Sequence, residues 1–234
     1  MKISLSSFFR ELARGKSTSR SLLVAALAEL FRRRPDLSGS FSVLELGSEP
    51  ASHQRIFPSA WRITRANLAE GRGADPIFDA NRPFPFPDGS FDAVVFFNTL
   101  YAIESYAGCV REAVRISRRF ILFNAPHIAA FAPHPSDHHR FTVTELSALC
   151  DGLVRADRRI RYGIIPVGGS FTAAMSVIDP YFIFRIFRIP PALMAAILDL
   201  WDRHVGRSCP VQHLVLIEKI IPCPHPIKNI SSCS

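Results

Sequence analysis

Four histidines fall within thirteen residues of this 234-residue chain: His127, His134, His138 and His139, with Asp137 among them. Imidazole is largely uncharged at pH 7 yet takes a proton readily, so such a cluster suits general-base work. Metal binding would need converging ligands. Adjacent His138 and His139 point apart, and no H-x-x-x-H or C-x-x-C spacing accompanies them, so no metal site is expected. His134, Asp137 and His138 are the candidate catalytic residues. A structural use of the same loop stays open, with Asp137 pairing to Arg140.

Those side chains need a frame. Phe41-Ser-Val-Leu-Glu-Leu-Gly47 reads as a buried strand closed by a glycine, and Phe91-Asp-Ala-Val-Val-Phe-Phe97 is the clearest strand in the chain. Weaker strands are expected at 61–67 and 76–80, and further ones at 120–123, 154–166 and 213–219. Helices are expected at 20–34, where Leu22, Leu23, Ala26, Leu27, Leu30 and Phe31 share a face, and at 105–117. Another starts at Thr142-Val-Thr-Glu145, a capping box. Strands alternating with helices predict an α/β fold: a Rossmann-like, mostly parallel sheet with helices on both faces. Ligands in such sheets bind beyond the carboxyl ends of the strands, after Gly47, Asn67, Asp79 and Phe97.

Asp79-Ala-Asn-Arg-Pro-Phe-Pro-Phe-Pro-Asp-Gly-Ser-Phe-Asp-Ala-Val-Val95 resembles the D-x-x-x-L-P-F-x-D-x-S-F-D-x-V block of class I S-adenosylmethionine-dependent methyltransferases. Val43-Leu-Glu-Leu-Gly47 is similar to the opening strand of that family. His134-Pro-Ser-Asp-His-His-Arg-Phe-Thr142 resembles a segment of bacterial methyltransferases of polysaccharide biosynthesis. The resemblance implies S-adenosylmethionine as cofactor and methyl transfer to an oxygen or nitrogen acceptor, a sugar or lipid-linked glycan. It implies that Glu45, Gly47 and Ser48 line the turn under the methionine part and that Asn67 and Leu68 lie at the ribose. Asp79 and Ala80 would meet the adenine, and Asn98 the opposite side of the cofactor. After Gly47 the chain runs Ser48-Glu-Pro-Ala-Ser-His53, where the family has further glycines, and Asn67 stands where it has a carboxylate. Pro50 removes a backbone donor, and Asn67 offers one acceptor oxygen. The rival reading is a catalytically degenerate methyltransferase-like binding or scaffold protein.

Lys+Arg of 28 against Asp+Glu of 20 gives +8, and the first 40 residues hold 8 of the cations against 3 acidic residues. That balance favours anionic partners. No RNA-module signature is present, so nucleic acid is not the expected partner. An apolar fraction of 48% excludes a disordered chain. Five cysteines without C-x-x-C pairs point to a reducing compartment, and no secretory signal is read at the N-terminus. A cytoplasmic protein is expected, at the inner face of the membrane if the apolar stretch 171–201 touches lipid, with Arg185 and Arg188 at headgroup level. Asp179-Pro180 and Pro190-Pro191 break that stretch, so it is not expected to span. Core cover or an oligomer contact is its other reading. The expected organisation is a basic helical arm (1–40), a core (41–170), an appended helical hydrophobic segment (171–208), a closing strand (209–221) and a disordered tail (222–234).

Overall fold

The computed structural model describes residues 4–47, 54–67, 76–130, 136–179, 189–205 and 209–220. The tail from 222, together with Arg185 and Arg188, lies outside the described residues.

Two helices open the chain, α1 (Leu5–Ala13) and α2 (Thr18–Arg33). Ser4 and Ser17 cap them, their side-chain oxygens accepting from the backbone N–H of Ser7 and Arg20. The spacing predicts one apolar face on α2, but Val24 and Ala25 are buried as well. The reason is tertiary: α1 and a later helix, α5 (Ser170–Ile178), both pack on α2 in addition to the sheet.

The sheet comprises β1 (Ser42–Leu46), β2 (Arg62–Ala66), β3 (Phe91–Phe96), β4 (Ser117–Pro126), β5 (Ile160–Val167) and β6 (Gln212–Lys219), in the order β2-β1-β3-β4-β6-β5. Strands β2, β1, β3 and β4 are parallel, and β6 runs antiparallel to both its neighbours. The strand expected at 76–80 reduces to a single bridge, Asn67 to Ile77. Asp79 turns the chain at once, the Arg82 N–H donating to its carbonyl at 3.0 Å. The strand expected from Val154 begins at Ile160, because α4 (Val143–Ala156) continues through that residue. Thr142 caps α4, accepting from the Glu145 N–H at 3.1 Å. The Glu145 carboxylate accepts instead from the Tyr106 hydroxyl, at 2.9 Å, so the expected return half of the capping box is used to tie α4 to α3 (Tyr106–Ile116).

Alternate strand residues serve two cores. Leu44, Leu46, Val94, Phe96, Ile121 and Phe123 pack under α3 and α4. Val43, Ala93, Val95, Phe120 and Leu122 pack under α1 and α2, joined by α5 (Ser170–Ile178) and α6 (Ile189–Val205). Two buried carboxylates fix that second layer at helix N-termini, where they satisfy orphan backbone donors. Asp179, closing α5, accepts from the Thr18 N–H and, at 2.9 Å, from the Thr18 hydroxyl at the start of α2. Asp199 of α6 accepts from the backbone N–H of Phe171 at 2.9 Å and from Thr172 at the start of α5. Gly169 is required there, since a Cβ would lie 2.6 Å from the Asp199 carboxyl carbon. No described helix is long and apolar enough to cross a membrane.

Candidate functional site

From β1 the chain passes to β2 on one side and later to β3 on the other, which makes the carboxyl ends of β1 and β3 the switch point where such sheets form a ligand crevice. Gly47 ends β1 in the left-handed region, at φ +67°, and a Cβ on it would lie 2.5 Å from the Thr99 hydroxyl. That hydroxyl bridges the two strand ends, 3.2 Å from the Leu46 carbonyl and 3.1 Å from that of Phe97. Asn98 also has a positive φ, +52°, a conformation Asn tolerates better than most residues. Its N–H donates to Asn124 Oδ1 at 2.6 Å, and its own Oδ1 accepts from Asn124 Nδ2 at 3.1 Å. Asn124 Nδ2 reaches Gln212 Oε1 as well, and Gln212 Nε2 donates to the Ser19 carbonyl at 2.9 Å. A chain of amides thus joins the floor of the crevice to the start of α2.

Around this floor the expected cofactor residues divide. Glu45 is buried and faces Arg65 of β2 at 3.6 Å. Asn67 ends β2, its carbonyl accepting from the Phe78 N–H at 3.1 Å. Asp79 Oδ1 accepts from the Asn81 N–H and side-chain amide, while Oδ2 stands 3.7 Å from Arg82. Ala80 follows, half-buried against the α3 side. Ser48 and Leu68 lie outside the described residues.

Much of the 79–95 block is architecture. Arg115 of α3 donates to the carbonyls of Phe84 and Phe86 and to Asp88, and Glu112 accepts from the Phe84 N–H. Pro83, Pro85 and Pro87 lack N–H groups, so the segment is held by its carbonyls and by this side-chain clamp. Asp92 accepts from the N–H and hydroxyl of Ser42, setting β3 against β1.

On the acceptor side, the histidine loop is only partly described, and His134 lies outside. Asp137 is gripped by both terminal nitrogens of Arg140, the structural pairing weighed in the sequence. His138 is exposed, and the Tyr101 carbonyl accepts from its backbone N–H at 3.0 Å. A second pair of imidazoles, one half-buried and one buried, lies where β4 ends beside β6. His127 Nδ1 is 3.0 Å from the Phe141 carbonyl and donates to it. Its ring centroid lies 5.6 Å from that of His213. His213 is 3% exposed, and neither ring nitrogen has a hydrogen-bonding partner among the described residues. Burial pushes this imidazole down to about 4, with His127 adding to the shift, so it is neutral at pH 7. Sequence reasoning missed His213 because it reads as one polar residue in a strand. Its placement against His127 arises from the Ala125–His213 pairing of β4 with β6. The buried thiols of Cys109 and Cys150 are pushed up to about 12 by burial and are not nucleophiles.

Residues 55–119 match a family model described as a methyltransferase domain. No curated protein matches the chain. Among solved structures it is similar to a SAM dependent methyltransferase from Archaeoglobus fulgidus, at 14% identity and a TM-score of 0.56, covering 86% of this chain and 94% of that one. The YcgJ protein from Bacillus subtilis gives 16% identity and a TM-score of 0.52 over 83% and 98% of the two chains. The plantazolicin methyltransferase BpumL, in complex with SAH, gives 10% and 0.52 over 92% and 93%. Identities this low establish shared architecture. The sheet order and the matched segment agree with a Rossmann-like methyltransferase fold. The matched segment holds β2, β3 and α3, and S-adenosylmethionine is the cofactor that the sequence resemblance implies.

The residues present fit the nucleoside half of that cofactor. Gly47 offers backbone without a Cβ at the crevice floor. Asn67, next after β2, would have an amide to offer ribose hydroxyls, and Asp79, its side chain 36% exposed, would have a carboxylate oxygen to offer an amino group.

Proposed function

We propose that this chain transfers a methyl group from S-adenosylmethionine to an oxygen or nitrogen acceptor, a sugar or lipid-linked glycan. The observation that carries the reading is the switch point between β1 and β3, closed by Gly47 and Thr99, with the rings of His127 and His213 paired at the neighbouring strand ends. When bound, the cofactor supplies an electrophilic methyl group on a sulfonium. Asp79 and Asn67 hold its nucleoside, and Asn98, fixed by Asn124, sets the width between crevice and acceptor side. Holding acceptor and methyl carbon in line does most of the catalytic work. The acceptor loses a proton, which His127, with its Nδ1 held by the Phe141 carbonyl and His213 packed against its ring, is suited to take. Asp137 holds the loop through Arg140, and His134 and His138 of the same loop are further candidates for taking the proton.

Calorimetry with S-adenosylmethionine tests the reading. Wild type is expected to release heat with a sub-millimolar Kd, weakened about tenfold or more in Gly47→Ala, whose Cβ collides with Thr99 in a left-handed conformation. No heat at millimolar cofactor from folded wild type would replace the enzyme with the scaffold reading.

A further inference from the structure

Helix α6 is amphipathic the wrong way round for water. Its inward positions are Ala192, Ala195, Ala196 and Asp199, small residues and a carboxylate. Its outward positions are Pro190, Met194, Ile197, Leu198 and Trp201, a stripe at helical spacing with no charged group in it. Trp201 is 65% exposed and Met194 56%. This is not a helix free to roll. Asp199 is bonded to the first turn of α5, and Gly169 lets it approach, so the rotation of α6 is set by buried polar contacts.

The neighbouring helices repeat the pattern. On α5 the exposed residues are Ala174, Val177 and Ile178. On α1, Leu5 and Phe9 are exposed, and Leu5 flanks the same shallow cleft as Leu200 of α6. An apolar face of this kind marks an interaction surface. Its surroundings choose the occupant. Arg10 follows Phe9 on α1 and Arg20 opens α2; both are exposed, and neither enters an ion pair among the described residues. They belong to the arm in which 8 cations face 3 acidic residues. A second copy docked face to face would bring two such arms together. An anionic lipid surface accepts the apolar stripe and the arginines at once.

We propose that the outward faces of α6, α5 and α1 dock this protein on anionic phospholipid bilayers, with Trp201 seated at the headgroup boundary. The surface does not depend on methyl transfer.

The full chain is floated with vesicles of phosphatidylcholine alone or with 30% phosphatidylglycerol. Wild type is expected to co-float with the anionic vesicles and about tenfold less with neutral ones. Ile197→Glu with Trp201→Glu, both at exposed positions, is expected to lower binding to anionic vesicles at least tenfold with an unchanged circular dichroism spectrum. Arg10→Glu with Arg20→Glu is expected to remove the preference for anionic lipid. Sedimentation velocity and cofactor calorimetry run alongside on each variant. Wild type that fails to float, or a helix variant that floats as well as wild type, overturns the proposal. A lipid-indifferent dimer that the helix variant turns into monomers overturns it in favour of a second copy. Cofactor heats unchanged by the helix variant separate this result from the fate of the catalytic reading.

Discussion

His213 shows how much one side chain's surroundings decide. A buried imidazole with neither nitrogen bonded is costly for folding. Its depressed value means that the unfolded chain takes up a proton near pH 6.5 while the folded one resists until about 4. The folded state therefore binds fewer protons across that window, and stability is lost as pH falls through it. His213→Phe removes this titration without emptying the site. Urea melts between pH 4 and 7 are expected to show the slope flattened by up to about 1.4 kcal/mol per pH unit, with stability near pH 5 equal to wild type or higher. In the catalytic reading the same variant loses turnover while its cofactor heat stays unchanged. The 79–95 block was plain in the sequence, yet its residues mostly build: Arg115 and Asp92 clamp backbone, and Asp79 shares its carboxylate between a turn and the crevice. His213 was not legible, because its burial depends on a strand paired with β4 from far along the chain.

Elements were read well where burial is complete and poorly where the tertiary partner sets the outcome. Runs such as Ala93–Phe96 are apolar because both faces are covered, and such runs announce strands. Helix α6 resists that logic: periodicity finds an apolar stripe but does not say which side is wet, and here alanines face in. What orients it is Asp199, whose partners lie at the start of α5, 27 and 28 residues earlier. Asp199→Ala leaves the first N–H groups of α5 buried without acceptors. Thermal unfolding is expected to show a loss of about 3 kcal/mol, or roughly 8 °C, with Asp199→Asn losing less. An unchanged melting temperature would mean that the carboxylate does not anchor the helix.

Across the whole molecule, the basic arm is woven into the sheet. Leu22, Leu23 and Leu27 close one core, Thr18 sits on Asp179, and the Ser19 carbonyl holds Gln212. A chain shortened to begin at Phe41 would expose Val43, Val95 and Leu122 to water; it is expected to be insoluble or to lose cooperative unfolding by calorimetric scan. Retention of a sharp transition would show that the remaining layers suffice. The same connectedness reaches the crevice. With one hydroxyl, that of Thr99, within reach of the Leu46 carbonyl ending β1 and the Phe97 carbonyl just past β3, and no room beside it for even a methyl group on Gly47, the floor is tightly filled. Whatever settles there meets a shape cast before it arrives, and must be chosen by fit; adjustment is left to parts of the protein above that floor.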